Sequence, residues 1–348
     1  MFVVENIPYF VRGHTAEGLV NYSDSNLQGI ETIIALQHDN QQLIADVLEY
    51  FKTQSKNTKT VETIYSPYLV KQLEGLIFRD ESYALLSADI LLKEDIVHET
   101  INLNYWLPMH VDEAVKQNKE QIQNEAYHCF KQALSIHDQL EQVYIDEMDF
   151  SKADKLAENL LKEMFSDVPM QNKQAHVYKR LFGTNTIGGA INEVEEIIEP
   201  IRHRVFVKGR AGTGKSVLLN KVLNESVQLG YDVELHHCSF DPQSIDMVLI
   251  RDLNYCLFDS TAPHEFFPTR ATDQVVDLYE TTVTKGTDEK YAKEISQITK
   301  TYKEGMRDGL DHLSDLRSLS FFKSLALNND KYVKQIENIV HNIHQTLK

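Results

Sequence analysis

The stretch that decides the fold of this chain is Gly209-Arg-Ala-Gly-Thr-Gly-Lys-Ser216, which satisfies the pattern G-x-x-x-x-G-K-[ST]. Its glycines let the backbone bend closely around a ligand and adopt positive φ where the turn requires it. Successive N–H groups then point into one concavity, and a helix beginning near Lys215 adds its positive end. The pattern predicts that the polyphosphate of a nucleoside triphosphate, most simply ATP, contacts eight residues: Gly209, Arg210, Ala211, Gly212, Thr213, Gly214, Lys215 and Ser216.

The residues on either side of this loop have the patterns of a strand and a helix. Positions 204–208 form a short apolar run that ends at Gly209, and apolar residues recur at helical spacing over 215–226. In this context Lys215 is expected to reach the β- and γ-phosphates, and the Ser216 hydroxyl to bind Mg²⁺. A glycine-rich turn with a surface lysine is the alternative, and the flanking pattern favours the phosphate loop.

Asp259 is the second candidate magnesium ligand. It follows the apolar run 255–258, and a carboxylate at the carboxyl end of a buried strand can hold the metal or its waters. An ordinary strand-end turn is the alternative role for this aspartate. Ser260 comes next, where many motor-type ATPases have a glutamate that polarises water, so fast hydrolysis is not expected.

The segment 260–270 is expected to lie beside the triphosphate if Asp259 does. His264 or Glu265 could position water or accept a proton, and Arg270 could neutralise charge on the γ-phosphate. With Lys215 and Asp259, these three complete the candidate catalytic set. For each of these three taken singly, the pattern favours an ordinary loop residue slightly over a catalytic one.

The chain contains two copies of one plan. Two sets of residues recur at nearly constant spacing, the first 171 positions later and the second 172 positions later. The matched residues are Thr15, Gly18 and Asn21 with Thr186, Gly189 and Asn192, and Arg79, Asp80, Tyr83 and Leu85 with Arg251, Asp252, Tyr255 and Leu257. Internal duplication explains these matches better than coincidence between two unrelated segments.

We therefore predict an α/β protein with two tandem P-loop NTPase-like domains, at 1–170 and 171–348. Strands alternating with helices favour a mostly parallel sheet with flanking helices in each domain. Each domain ends in a helical tail, at 151–165 and from about Asp330, where Val333, Ile336, Val340 and Ile343 would be buried. The tails are expected to be packing elements, with a protein-binding role as the alternative.

The first copy is predicted to be degenerate. Its equivalent of the loop is about 37–45, QHDNQQLIA, which has no glycine and places Leu43 and Ile44 where the phosphates would lie. Ser87 stands near the Asp259 position. We expect no nucleotide in this copy, and Arg12 or Arg79 could reach from it to the site of the second copy.

Composition bounds the remaining choices. The 348 residues fit two domains, and the formal net charge of −17 argues against broad binding to nucleic acid or anionic lipid. No signal peptide and no membrane span is evident, and Cys129, Cys238 and Cys256 form no CxxC pair, so a cytoplasmic protein is expected. His236, His237 and Cys238 are neighbours on a predicted strand, which favours buried strand residues over a metal site.

The sequence resembles a poorly characterised bacterial family of tandem P-loop proteins. Beyond the loop, the resemblance depends on GHTAEGLVN and GTNTIGGAIN, on CSFDPQSID at 238–246, on DSTAPHEFFPTR at 259–270 and on HDQLEQVYIDEMDFSKAD at 137–154. Members are described as ATPases, ATP-binding proteins or nucleotide kinases. Members commonly carry a phosphate loop in both halves, and this chain departs from that pattern.

Three functions remain open from the sequence. The first is a slow magnesium-dependent ATPase or ATP-driven switch that uses only the second copy. The second is a kinase for a nucleotide or small metabolite, and the third is a nucleotide-binding scaffold without catalysis. ATP is favoured over GTP because no Asn/Thr-Lys-x-Asp motif is evident.

Overall fold

The computed structural model describes residues 5–55, 58–93, 96–262, 265–323 and 329–347. The first repeat contains β1 (Glu5–Tyr9), β2 (Arg12–Thr15), β3 (Gly18–Asn21), α1 (Ser23–Asn26), β4 (Thr32–Gln37), α2 (Gln41–Gln54), β5 (Thr60–Tyr65), β6 (Leu73–Phe78), β7 (Tyr83–Ser87), β8 (Glu99–Asn102), α3 (Glu113–Ile145) and α4 (Phe150–Phe165). The second contains β9 (Val177–Leu181), β10 (Gly183–Thr186), β11 (Gly189–Asn192), α5 (Val194–Ile198), β12 (His203–Lys208), α6 (Lys215–Gln228), β13 (Val233–His237), β14 (Ile245–Ile250), β15 (Tyr255–Asp259), β16 (Gln274–Asp277), α7 (Leu278–Thr282), α8 (Thr287–Lys290), α9 (Ala292–Asp315) and α10 (Asn329–Thr346).

Each repeat builds a six-stranded sheet, and the two sheets have the same strand order. The first is β1-β5-β6-β7-β4-β8 and the second is β9-β13-β14-β15-β12-β16. The α/β class is therefore confirmed. The sheets are mixed rather than uniformly parallel, because β6 and β14 run antiparallel to both of their neighbours. In the second sheet a tight turn with Asn254 at φ 56° joins β14 to β15 and forces this hairpin.

A local two-fold axis relates the repeats. Phe10 and Leu181 exchange two backbone hydrogen bonds of 3.0 and 2.8 Å, and β2 pairs with β10 at His14 and Asn185. Each of these residues meets its own equivalent 171 positions away, which is how an isologous interface is built. The β2–β3 and β10–β11 hairpins thereby join into a third sheet of order β11-β10-β2-β3.

The two helical tails are exchanged between the repeats. α4 packs on the second sheet beside α6, and α10 packs on the first sheet beside α2. The buried tail residues are Ala157, Leu160, Met164 and Phe165 in α4, and Ile336, Ile339, Val340 and Ile343 in α10. The tails are packing elements, and each completes the core of the other repeat.

Two details of the tails differ from the prediction. Val333 is 49% exposed rather than buried, because it lies on the outer face of α10. α4 begins one residue before Ser151, and Asp149 caps it by accepting a hydrogen bond from the Lys152 amide. Both differences lie within the first five residues of a helix, where sequence patterns are weakest.

The long helices α3 and α9 pack side by side in antiparallel directions. Gly305 and Gly309 of α9 face Ala133 and Phe130 of α3, and a β-carbon on Gly309 would lie 2.4 Å from the phenyl ring. Glycine permits this close approach. The pair brings the carboxyl end of α3 to the glycine-rich loop at 209–214 of the second repeat. No helix within the described ranges is long and apolar enough to span a membrane.

Candidate functional site: a phosphate loop roofed by the other repeat

The predicted strand, loop and helix follow one another in the structure. β12 ends at Lys208, residues 209–214 form the loop, and α6 begins at Lys215. Gly212 and Gly214 have φ of 74° and 84°, in the left-handed region that favours glycine. The loop therefore needs glycine at both positions, and it ends at the amino end of a 14-residue helix.

The Lys215 side chain turns back into the loop. Its ammonium donates to the Arg210 carbonyl at 2.8 Å and lies 3.6 Å from Asp259 Oδ2. The side chain is only 13% exposed, so the charge is held inside the concavity rather than in solvent. Lys215 and Asp259 thus lie together, as the sequence pattern predicts.

Ser216 lies beside two carboxylates. Its Oγ accepts a hydrogen bond of 2.8 Å from the Ile245 amide at the start of β14. One step beyond the Met247–Phe258 pair of the β14–β15 ladder, Asp246 and Asp259 stand side by side. Burial and the neighbouring Asp259 carboxylate raise the pKa of Asp246 to about 7.

Asp246 is a site residue that the motif analysis does not predict. Its position follows from the hairpin between β14 and β15, which brings the start of one strand to the end of the other. An aspartate that opens an otherwise apolar run, IDMVLI, just before the run ending in Asp259, is the available signal. That signal identifies a partner for Asp259 only when the two runs are taken as a hairpin.

The segment after Asp259 is tied down by hydrogen bonds. Asp259 Oδ1 accepts from the Thr261 amide at 2.9 Å. The buried Ser260 hydroxyl accepts from the Phe266 amide at 3.1 Å and donates to its carbonyl at 2.8 Å. The Ser260 hydroxyl therefore links Phe266 to the end of β15.

The three candidates in this segment have different outcomes. Glu265 forms an ion pair of 3.2 Å with Lys208, next to the start of the loop. His264 lies outside the described residues. Arg270 donates to the carbonyls of Glu199 and Ile201, which precede β12. A six-residue strand is about 20 Å long, so Arg270 lies at the opposite edge of the sheet, and its predicted position beside the γ-phosphate is wrong.

The carboxyl end of α3 roofs the loop. A β-carbon on Gly212 would lie 2.4 Å from the Glu141 carbonyl oxygen, and one on Gly214 would lie 3.6 Å from Met148 Cε. The first repeat therefore contributes directly to the surroundings of the second repeat's loop.

A second contact secures this roof. Arg210, inside the loop, pairs with Asp288 at 2.8 Å, and Asp288 accepts a 2.9 Å hydrogen bond from the Tyr144 hydroxyl of α3. The Arg210 guanidinium also lies 4.9 Å from the centre of the Tyr279 ring. One side chain of the loop thus holds the end of α3 and the α7–α8 segment together.

Acidic groups dominate the surroundings of Lys215. Burial and the nearby Asp138 carboxylate raise the pKa of Glu141, and the Lys215 charge acts against them. Burial lowers the pKa of His137, which lies 3.7 Å from Glu141. A bare polyphosphate would therefore meet several carboxylates, which favours its binding together with a cation.

The first repeat has a different structure at the equivalent place. Only three residues, His38 to Asn40, join β4 to α2, against six in the second repeat. Asn40 caps α2 by accepting from the Leu43 amide at 2.9 Å. Leu43 and Ile44 belong to α2 and are buried in the first core rather than filling a phosphate cradle, so that part of the prediction is wrong. The connection between β4 and α2 is too short to form such a loop, and neither of these two side chains fills it.

The two arginines expected to reach across have their ion-pair partners in the first repeat. Arg12 forms a buried ion pair with Glu74, at the position equivalent to Asp246. Arg79 pairs with Glu62 and donates to the Asn26 carbonyl at 3.0 Å. Neither contacts the phosphate loop.

The neighbouring residues His236 and His237 at the end of β13 are buried and partly buried, as predicted. His236 is fully buried and the His237 ring stacks on Tyr22 at 4.9 Å. Within the described ranges, no group of three or more His, Cys, Asp or Glu side chains is placed to hold a metal ion. Mg²⁺ in a nucleotide site needs fewer protein ligands, because water and phosphate supply the others.

The chain was also compared with known proteins. A scan against family models, a search of curated proteins and a search of solved structures each give no match.

Proposed function

We propose that the second repeat binds Mg-ATP on residues 209–216 and hydrolyses it slowly, so that the protein acts as an ATP-driven switch. The observation that carries the proposal is the Lys215 ammonium, whose side chain is only 13% exposed and lies inside a glycine loop within 4 Å of Asp259. A surface lysine on an ordinary turn would extend into solvent. The same geometry supports a P-loop NTPase-like fold for this repeat.

The phosphates would be held by three kinds of group. Backbone N–H groups of the loop and the first turn of α6 are donors for anionic oxygens. Lys215 would exchange its carbonyl contacts at Gly209 and Arg210 for phosphate oxygens. That exchange is favourable, because a charge-assisted hydrogen bond is stronger than one to a neutral carbonyl.

Ser216, Asp246 and Asp259 are the residues that would hold Mg²⁺. One hydroxyl and two carboxylates are hard oxygen donors of the kind that Mg²⁺ prefers. Two adjacent carboxylates that repel each other also fit a site for a divalent cation. Bound there, the ion would neutralise charge on the β- and γ-phosphates.

Slow turnover follows from what lies beside Asp259. Ser260 offers no carboxylate, and both hydrogen bonds of its hydroxyl go to Phe266. Arg270 is committed to carbonyls at the far edge of the sheet. The strand that supplies the metal ligand therefore supplies neither a base for water nor a cation for the γ-phosphate.

The test is Lys215→Ala, with Lys221→Ala as the matched control on the same helix. Lys221 pairs with Asp154 on the surface and is outside the loop. Loss of a charge-assisted contact of about 1.5–3 kcal/mol should weaken ATP binding by about 10- to 100-fold. Calorimetric titration with Mg-ATP measures it. Unchanged affinity in Lys215→Ala alongside the control would end the proposal.

Phosphate release distinguishes the switch from the other functions. A switch releases phosphate from Mg-ATP without any acceptor. Release that begins only after a nucleotide or metabolite acceptor is added would instead identify a kinase, and binding without release would identify a scaffold. GTP in parallel titrations tests the preference for adenine.

A further inference from the structure

The phosphate loop of the second repeat is completed by a helix from the first. Glu141 lies in the last turns of α3, and its carbonyl oxygen lies against Gly212, the middle glycine of the loop. The helix is held there at two further points. Tyr144 donates to Asp288, which pairs with Arg210, and the Asp149 amide just beyond α3 donates to the Thr282 carbonyl at 2.7 Å.

The other carboxylates near Lys215 already have partners. Asp241 accepts from the Gln243 amide at 3.0 Å and from the Ser244 hydroxyl at 2.8 Å. Asp246 and Asp259 stand together beside Ser216, where they suit a cation. None of these three is available to activate water.

Glu141 has no such commitment. Within the described part of the chain its carboxylate forms no hydrogen bond, and its nearest basic neighbour is His137 Nδ1 at 3.7 Å. The side chain is 39% exposed, so water can reach it. The charged groups that face it are His137 and Asp138 on its own helix, Lys215 on α6, and Asp241 on the segment after β13.

We propose that Glu141, on α3 of the first repeat, is the general base for ATP hydrolysis at the loop of the second repeat. This inference depends on the proposed function. The water oxygen forms a bond to the γ-phosphorus, and the bond from that phosphorus to the β–γ bridging oxygen breaks. The electron pair of that bond leaves with ADP, and the water proton passes to a Glu141 carboxylate oxygen.

Two features agree with this role. Burial and Asp138 raise the pKa of Glu141 towards neutrality, the direction that suits a base working near pH 7. The position also gives the first repeat a function, since that repeat has only three residues in place of a phosphate loop. Its contribution would be the end of α3.

The experiment compares Glu141→Gln with Glu125→Gln in the full chain. Glu125 lies on the same helix beside a histidine, His312 at 3.5 Å, but far from the loop. Glu141→Gln should lower kcat for phosphate release by about 10²- to 10⁴-fold. Its affinity for Mg-ATP should change less than about threefold, and its melting temperature should match that of Glu125→Gln. Glu141→Asp should recover part of kcat.

The pH profile provides a readout that a structural role would not change. A base must be deprotonated, so kcat of the wild type should fall as pH falls through the pKa of Glu141. With saturating Mg²⁺, which keeps the Asp246 carboxylate ionised, this acid limb should be absent in Glu141→Gln. An unchanged kcat in Glu141→Gln overturns the inference while leaving ATP binding intact. Equal Mg-ATP affinity in Lys215→Ala and wild type overturns the proposed function itself.

Discussion

Arg180 is a fully buried arginine between two carboxylates at the two-fold axis. Its guanidinium lies 2.8 Å from Glu62 and 2.7 Å from Glu234, and 3.7 Å from the centre of the Tyr9 ring. Tyr9 and Arg180 are equivalent positions, 171 residues apart. Arginines at both equivalent positions would repel each other across the axis. A tyrosine in the first repeat and an arginine in the second avoid this repulsion.

The surrounding charges repeat the symmetry that Arg180 breaks. Glu62 pairs with Arg79 in the first repeat, and Glu234 pairs with Arg251 in the second. Burial raises the pKa of both glutamates, but the charge of Arg180, followed by that of the paired arginine, outweighs it. The pKa of Glu234 is lowered to about 2, and the pKa of Glu62 is also lowered. The cluster therefore stays ionised in the core, where a missing partner is costly.

At the residue scale we predict that Arg180→Met destabilises the protein strongly. It would leave Glu62 and Glu234 buried with one arginine fewer between them, at a cost of about 3–5 kcal/mol. Urea denaturation measures the change in free energy of unfolding. Arg202→Met, at an exposed site, should stay within about 0.5 kcal/mol of wild type. Similar losses in both variants would contradict a structural role for the buried cluster.

At the scale of elements, the glycine-rich loop at 209–214 and α3 form one unit. Gly212 has φ of 74° and Glu141 directly above it, so two separate requirements exclude a side chain. The first is local to the loop, and the second exists only if α3 lies on it. Substitution at this glycine can therefore report on the helix as well as on the loop.

We predict that Gly212→Ala costs more than its backbone strain alone. Gly286 is the matched control, since it has φ of 91° and its nearest neighbour to an added β-carbon is 3.9 Å away. Gly286→Ala should lose about 1–2 kcal/mol from the left-handed conformation. Gly212→Ala should lose clearly more in urea denaturation and weaken Mg-ATP binding as well. Equal losses would show that α3 does not lie against the loop.

The sequence predicts elements whose patterns are local. The strand before the loop, the helix from Lys215 and the strand ending at Asp259 all lie where the apolar spacing indicates, because each depends on neighbours within about ten residues. The pairing of Lys215 with Asp259 follows from the same local reasoning. That part of the site needs no knowledge of the rest of the fold.

Features set by distant contacts could not be predicted in this way. Asp246 joins the site through the direction of a hairpin, and Glu141 through a helix that begins a hundred residues before the loop. Arg270 follows Asp259 closely in sequence, yet its guanidinium donates to carbonyls that precede the start of β12. Closeness in sequence to Asp259 does not predict where Arg270 lies, because its hydrogen bonds to carbonyls before β12 fix its position.

At the scale of the whole molecule, the exchange of tails makes the repeats mutually dependent. α10 follows the second sheet in sequence, yet its residues Ile336, Ile339, Val340 and Ile343 are part of the core of the first. α4 makes the reciprocal contact with the second core. Neither repeat, cut at residue 170, would retain the helix that covers its own sheet.

The exchange predicts where damage to a tail appears. Ile339 is fully buried and Val333, on the same helix, is 49% exposed. Ile339→Ala should lower the free energy of unfolding by about 2–5 kcal/mol, and Val333→Ala by less than about 0.5 kcal/mol. Hydrogen exchange under native conditions locates the loss.

Faster exchange in Ile339→Ala should appear first in β4 and β7 of the first sheet, because α10 covers α2 and that sheet. Leu160→Ala in α4 should instead accelerate exchange first in β12 and β15, since Leu160 belongs to the second core. If each tail variant weakened the sheet that precedes it in sequence, the exchange of tails would be excluded.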